Sequence, residues 1–203
     1  MDTLDIKSLL RASYDGQANE RDNFSKANWK VRERDLFLSH LRERHLKNLL
    51  EIGAGTGQDS LFFIDNGIEA TATDMSGEMV RLCREKNLSA YQMDFYNLEF
   101  PTESFDAVWS LNCLLHVPKR DLPSVLEGIR DVLKPGGLFY LGVYGGEDSE
   151  GVWEGDSSVP KRFFSFHTDQ SIQYVVSKYF EIIYFKTVDY GHESLHFQSM
   201  ILV

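Results

Sequence analysis

The chain has 203 residues, 42% hydrophobic and 13% aromatic, enough for one well-buried core and too few for two. Lys and Arg number 21 against 31 Asp and Glu, a formal charge of −10, and a field of that sign repels polyphosphate backbones, so nucleic acid is not an expected partner. No apolar run approaches the roughly 20 residues that span a bilayer and the opening MDTLDIKSLL is too polar for a secretory signal, which points to a cytoplasmic protein with no membrane partner.

Ten of the bases fall in residues 1–47 beside eight acids, so the first helices carry either a solvated surface or a basic face that recruits an anion locally. Asn28–His45 places Phe37, Leu38, Leu41 and His45 on one helical stripe. Asn48–Ile52, an apolar run stopped by glycines, suits a central strand buried on both sides. Ser60–Asn66 is expected to be helical and to end at Gly67, where the left-handed conformation costs glycine nothing.

Ile68–Thr73 reads as a strand, Ser76 as the cap of a helix bearing Met79, Val80 and Cys83, and Leu88–Met93 as a third strand. Phe105–Ser110 is a fourth. Asp121–Leu133 is a helix with Leu122, Val125, Leu126, Ile129 and Leu133 inward, followed by the turn Lys134-Pro135-Gly136-Gly137 and the strand Leu138–Val143. Strands alternating with helices at this pitch predict a parallel sheet covered on both faces. Beyond a glycine-rich acidic stretch, Gly145–Pro160, lie a helix at Thr168–Lys178 and two β-prone runs, Phe180–Val188 and Leu195–Val203, close enough for a hairpin. Cys83 and Cys113 are the only cysteines and form no C-x-x-C pair, so reduced, buried thiols are expected.

The sharpest chemical signal is Glu51-Ile52-Gly53-Ala54-Gly55-Thr56-Gly57, where a buried strand turns into a helix. Glycines let a ligand press against the backbone, and the amides of the following helix face it. A dinucleotide fingerprint needs G-x-G-x-x-G, and Gln58 stands at its final position. Asp74 ends the second strand, where a carboxylate can accept both hydroxyls of a ribose or, alternatively, serve as a helix N-terminal charge.

Taken together, Leu49 to Val143 resembles the core of a class I S-adenosylmethionine-dependent methyltransferase. The matching pattern is an acid before G-x-G-x-G, an acid ending the second strand, an acid after the third and a K-P-G-G turn before the fifth. The resemblance implies an α/β, Rossmann-like, doubly wound, mostly parallel sheet of seven strands with the last antiparallel, and an N-terminal helical lid. It implies one methyltransferase domain over 1–203, with residues 1–46 as lid, 47–144 as donor-binding core and 145–203 as acceptor side. It also implies that Gly53, Ala54, Gly55 and Gly57 surround the methionine portion of the donor, with Glu51 beneath. Asp74 would hold the ribose and Met75 the adenine; Asp94 would accept from the adenine amino group between Met93 and Phe95, or be a plain loop carboxylate; Ser110 and Leu111 would present backbone to the methionine end.

The acceptor is a small molecule whose reacting atom, N, O or S, stays open, as does the oligomeric state. The N-terminal segment offers Tyr14, Trp29 and Arg32 to line its pocket, the stretch after the fourth strand offers Asn112 and His116, and a third set is Tyr144, Trp153, Phe163, Phe164 and His167. His116 and Tyr14 are the candidate catalytic groups, with packing as the alternative for His116, whose ordinary pKa near 6.5 suits proton transfer. His192 and His196 are four apart, but in a turn and a strand that spacing does not bring them together, and no metal site is expected. The five acids Glu147, Asp148, Glu150, Glu154 and Asp156 read as a solvated loop or as a lid screening a cationic or amine acceptor. The competing functions are a non-catalytic adenosyl-ligand-binding subunit or regulator and a nicotinamide-dependent oxidoreductase.

Overall fold

The computed structural model describes residues 1–203. Two helices come first, α1 (Thr3–Asp22) and α2 (Asn28–Glu43). The Asp2 side chain accepts from the Asp5 amide and Asp5 bonds back to the Asp2 amide, a capping box made of two aspartates. Phe37, Leu38 and Leu41 are buried as the stripe predicts. His45 is not: the helix has ended by Glu43, and His45 sits exposed at φ 57.

The alternating elements follow as β1 (Asn48–Ile52), α3 (Gln58–Asp65), β2 (Glu69–Asp74), α4 (Gly77–Glu85), β3 (Ser89–Gln92), β4 (Phe105–Leu111), α5 (Leu122–Val132) and β5 (Leu133–Gly145). Each expected element is present within a residue or two at its ends, except that β5 begins five residues before the expected Leu138. Gly67 closes α3 at φ 83, and Ser76 caps α4 by accepting from the Met79 amide. The Lys134–Gly137 turn is absorbed into β5 as an irregularity, since Phe105 pairs with Leu133 and Ala107 already with Leu138.

After β5 come β6 (Ser149–Val152), β7 (Phe163–Phe166), α6 (Asp169–Val176), β8 (Ile182–Val188) and β9 (His196–Leu202). The seven-stranded sheet has the order β3-β2-β1-β4-β5-β9-β8. Strands β1 to β5 pair in parallel, and β9 runs antiparallel to both β5 and β8. The acidic stretch is not an open loop. Its β6 pairs with β7 in a separate two-stranded ribbon, which long-range pairing creates despite the glycines.

Both sheet faces are covered. One carries the larger cluster, with Leu126 and Ile129 of α5 against Val108, Phe139 and Leu141. The other packs Phe37 and Phe63 on Trp109, which stacks on Tyr140 at 4.0 Å and 19°. Strand order reverses between β1 and β4, and in such sheets a crevice opens at the carboxyl ends of the strands there. No helix is long and apolar enough to cross a membrane.

Candidate active site

The crevice holds a cavity of about 660 Å³, within the usual range of roughly 300–1,000 Å³ for small-molecule sites. Its floor is the loop after β1. Gly53, Gly55 and Gly57 have φ of +71, +55 and +81, a region costly to residues with a Cβ. A Cβ on Gly53 would lie 2.4 Å from Cys113 Sγ and one on Gly57 2.3 Å from Leu88 Cδ1, whereas one on Gly55 would meet nothing within 4 Å. Two of the three glycines therefore let the loop pack, and Gly55 leaves open space facing the cavity.

Asp74 anchors that loop. Its Oδ2 accepts from the Gly55 amide at 2.8 Å and its Oδ1 from the Ser76 amide at 2.9 Å. Burial outweighs both bonds and raises its pKa to about 6. Glu51 lies beneath, accepting from Ser60 Oγ, and burial together with the nearby Asp59 carboxylate pushes its pKa up. Met75, Met93 and Phe95 complete an apolar wall, and the Cys83 and Cys113 thiols are free and buried. These groups fit S-adenosylmethionine. An ionised carboxylate has about four lone-pair sites and Asp74 uses two within the protein, so two remain that would accept from the donor's ribose hydroxyls beside the open face of Gly55.

The opposite wall is a directed hydrogen-bond chain. Asp156 holds Arg162 through Nε at 2.9 Å and an outer nitrogen at 2.7 Å, Arg162 donates to the Tyr14 hydroxyl at 3.0 Å, and that hydroxyl meets His116 Nε2 at 2.7 Å. His116 Nδ1 lies 2.6 Å from the Phe163 carbonyl, which can only accept, so Nδ1 carries the proton and Tyr14 donates to Nε2. Burial depresses the His116 pKa to about 3 and raises that of Tyr14. Within this chain neither group is a ready base; both hold the wall in place.

Two further clasps join the N-terminal helices to the core. Asp59, at the start of α3, is buried and accepts from Lys26 at 2.7 Å, Arg34 at 2.9 Å and the Trp109 indole at 3.2 Å. Lys7 of α1 bonds Asp94 at 2.8 Å. These clasps had no sequence signal, because the partners lie 25 to 87 positions apart.

Most of the expected site residues do line the one cavity: Glu51, Gly53, Ala54, Gly55, Asp74, Met75, Met93, Phe95 and Leu111 on the donor side, and Tyr14, His116, Asn112, Tyr144, Trp153 and Phe164 on the other. Asn112 has φ 56 and a buried Oδ1 without a donor. Seven others lie elsewhere. Gly57 faces Leu88 and Cys83 of the neighbouring packing. The Asp94 oxygens are taken by Lys7 and by the amides of Tyr96 and Asn97. Ser110 is fully buried within β4. Trp29 packs behind Tyr144, its ring 4.5 Å from Phe197. His167 is turned toward Ser171 and its carbonyl toward Gln198, and Arg32 is exposed. Phe163 packs on Met75 behind the wall.

The acidic stretch does not aim its charge at the cavity. Asp148 pairs with Lys119, Glu154 with Lys161 at 2.6 Å and Asp156 with Arg162, while Glu150 accepts from the Lys119 amide. Four of its five carboxylates are thus engaged away from the cavity, which none of the five lines.

Residues 49–137 match the family model described as a methyltransferase domain. Among curated relatives, the malonyl-[acyl-carrier protein] O-methyltransferase of Pseudescherichia vulneris is 29% identical over 133 residues, 64% of this chain and 51% of that protein. The sterol 24-C-methyltransferase erg6 of Aspergillus fumigatus is 35% identical over 105 residues, covering 47% and 27%. The chain thus spans about half the length or less of these relatives. Among solved structures, Burkholderia thailandensis 1,6-didemethyltoxoflavin-N1-methyltransferase, with 1,6-didemethyltoxoflavin and S-adenosylhomocysteine bound, superposes with a TM-score of 0.80 at 19% identity over 100% of this chain and 90% of that one. The [4+2]-cyclase SpnF shares the fold at a TM-score of 0.66 and 20% identity over 89% and 83%. The match over residues 49–137 makes this part of the chain similar to methyltransferase domains, and the strand order gives the whole chain the Rossmann-like fold of the solved S-adenosylmethionine-dependent methyltransferases.

Proposed function

We propose that the protein transfers a methyl group from S-adenosylmethionine to a small-molecule acceptor held in the same cavity. The observation that carries this reading is the convergence of Gly55 and Asp74 with the Tyr14–His116 wall around one space. When bound, S-adenosylmethionine supplies a methyl group already activated by its sulfonium. What remains for the chain is to place an acceptor atom and exclude water, and alignment alone is worth on the order of 7–11 kcal/mol in favourable intramolecular systems.

Gly53, Ala54 and Gly55 take the methionine portion and Asp74 the ribose. Tyr14 and His116 act as a positioning pair whose fixed proton direction shapes the wall. Residues 1–46 form the lid, 47–144 the donor core and 145–203 the acceptor side. Asp94 becomes available to an adenine amino group only when Lys7 lets go, so we assign it the role of a latch for α1 as well. A small-molecule acceptor rather than nucleic acid agrees with the charge of −10, and reduced buried thiols agree with a cytoplasmic location.

Incubation with methyl-labelled donor and a metabolite panel, read by mass spectrometry, tests the reading. A methylated product together with S-adenosylhomocysteine supports it. Donor binding with no transfer to any acceptor would favour a non-catalytic binding protein or a different chemistry, since one fold hosts many functions.

A further inference from the structure

The charges around the cavity are not balanced. Seven ionisable side chains of Lys, Arg, Asp and Glu line it: Arg21, Lys26, Lys30, Arg162, Glu51, Asp59 and Asp74. Lys26 is paired with Asp59 and Arg162 with Asp156. Arg21 bonds only Gln17, and Lys30 has neither a carboxylate within ion-pair distance nor a side-chain hydrogen bond; its ammonium sits 5.2 Å from the Trp29 ring and 5.5 Å from that of Tyr144. Burial depresses the Lys30 pKa to about 8, so it is charged at neutral pH but poorly solvated. A desolvated cation without a partner gains much from an incoming anion.

The donor does not meet that need twice over. It carries one carboxylate against an ammonium and a sulfonium, and of the two free cations one is enough for that carboxylate. The cavity wall on the side of Lys30 is aromatic: Tyr144 is tilted on Tyr190 at 4.8 Å, Trp153 meets Phe164 edge-on at 5.4 Å, and Phe164 and Phe166 stack at 25°.

Resting on the methyltransferase reading, we infer that the acceptor is a planar aromatic or heteroaromatic molecule carrying a negative charge, and that Lys30 is the specificity-determining residue that recognises that charge. None of the five acids of the ribbon lines the cavity, and Asp148, Glu154 and Asp156 are paired with Lys119, Lys161 and Arg162, so the ribbon does not oppose such a ligand. The basic N-terminal segment then serves to recruit an anion.

The test uses protein saturated with S-adenosylhomocysteine and matched probes differing in charge: 2-naphthoate against 2-naphthamide for a carboxylate, and 2,4-dinitrophenolate against 2,4-dinitroanisole for an ionised ring oxygen. Titration calorimetry should show the anion of at least one pair binding about tenfold tighter than its neutral partner. Lys30→Met should abolish that preference, Lys30→Arg should keep it, and both should bind S-adenosylhomocysteine within about twofold of the wild type. Equal binding within both pairs, including none in either, overturns the inference, as does a preference that survives in Lys30→Met. A loss of S-adenosylhomocysteine affinity in Lys30→Met would reassign the residue to the donor carboxylate and overturn it too. If the wild type fails to bind S-adenosylhomocysteine, the methyltransferase reading itself fails, an outcome seen before any acceptor probe is added.

Discussion

Asp74→Asn separates what this carboxylate does for the fold from what it does for the donor. In the free protein its oxygens accept amides from Gly55 and Ser76 at 2.8 and 2.9 Å, yet burial lifts its pKa from 3.8 to about 6. The folded state therefore holds a proton that the unfolded chain has already lost between those values. Stability falls as pH rises through that window and stays lowered above it, by about 3 kcal/mol. Asparagine escapes that cost, but its amide nitrogen faces another N–H at either Gly55 or Ser76, a loss of about 1–3 kcal/mol. The two nearly cancel, so the melting temperature at neutral pH should stay within a few degrees of the wild type. Donor binding has no such compensation. An amide oxygen replaces a charged acceptor for two ribose hydroxyls, and one charge-assisted bond is worth about 1.5–3 kcal/mol, so the Kd for S-adenosylhomocysteine should rise about ten- to 150-fold. Calorimetric titration beside a thermal melt reads both quantities. An unchanged Kd with an unchanged melt would refute the ribose assignment.

Gly55→Ala adds a methyl group to open space and should fold with a loss of about 1 kcal/mol from its φ of +55, yet weaken S-adenosylhomocysteine severely; Gly53→Ala, 2.4 Å from Cys113 Sγ, should instead lower the melting temperature sharply. Equal effects of the two on folding would mean the loop does not face the cavity as described. Because the Asp74 pKa lies at about 6, wild-type affinity for S-adenosylhomocysteine should fall as pH drops below that value, approaching tenfold per pH unit, and Asp74→Asn should be flat there; a parallel decline in both would trace the effect to another group. Asp156→Asn leaves Arg162 buried without its counter-charge and should cost about 3 kcal/mol by denaturant titration. Tyr14→Phe should cost less, because Arg162 keeps Asp156, and a larger loss for Tyr14→Phe than for Asp156→Asn would overturn the described order of the chain.

Much of this was legible from local pattern. The run Asn48–Ile52 before the glycines, the cap at Ser76, the stripe on α5 and the terminal hairpin each carry their own period or turn chemistry, and each is found where expected. What stayed hidden depends on partners distant in sequence. The strand Ser149–Val152 is polar and contains a glycine, and only pairing with Phe163–Phe166 makes it β. Asp59 looks like any helix-start acid until Lys26, Arg34 and Trp109 converge on it. Arg162 and Lys30 are single bases in unremarkable surroundings, and their opposite situations, one paired and one not, exist only in three dimensions. Asp94 is legible as an acid after the third strand, yet nothing in its sequence neighbourhood reveals that Lys7 occupies it.

The most direct measurement is a crystal structure of the protein with S-adenosylhomocysteine. The ribose hydroxyls should lie within hydrogen-bond distance of the Asp74 carboxylate, with the methionine chain against the open side of Gly55. A nucleoside bound elsewhere, or a cavity that excludes the ligand at millimolar concentration, would contradict the proposed site.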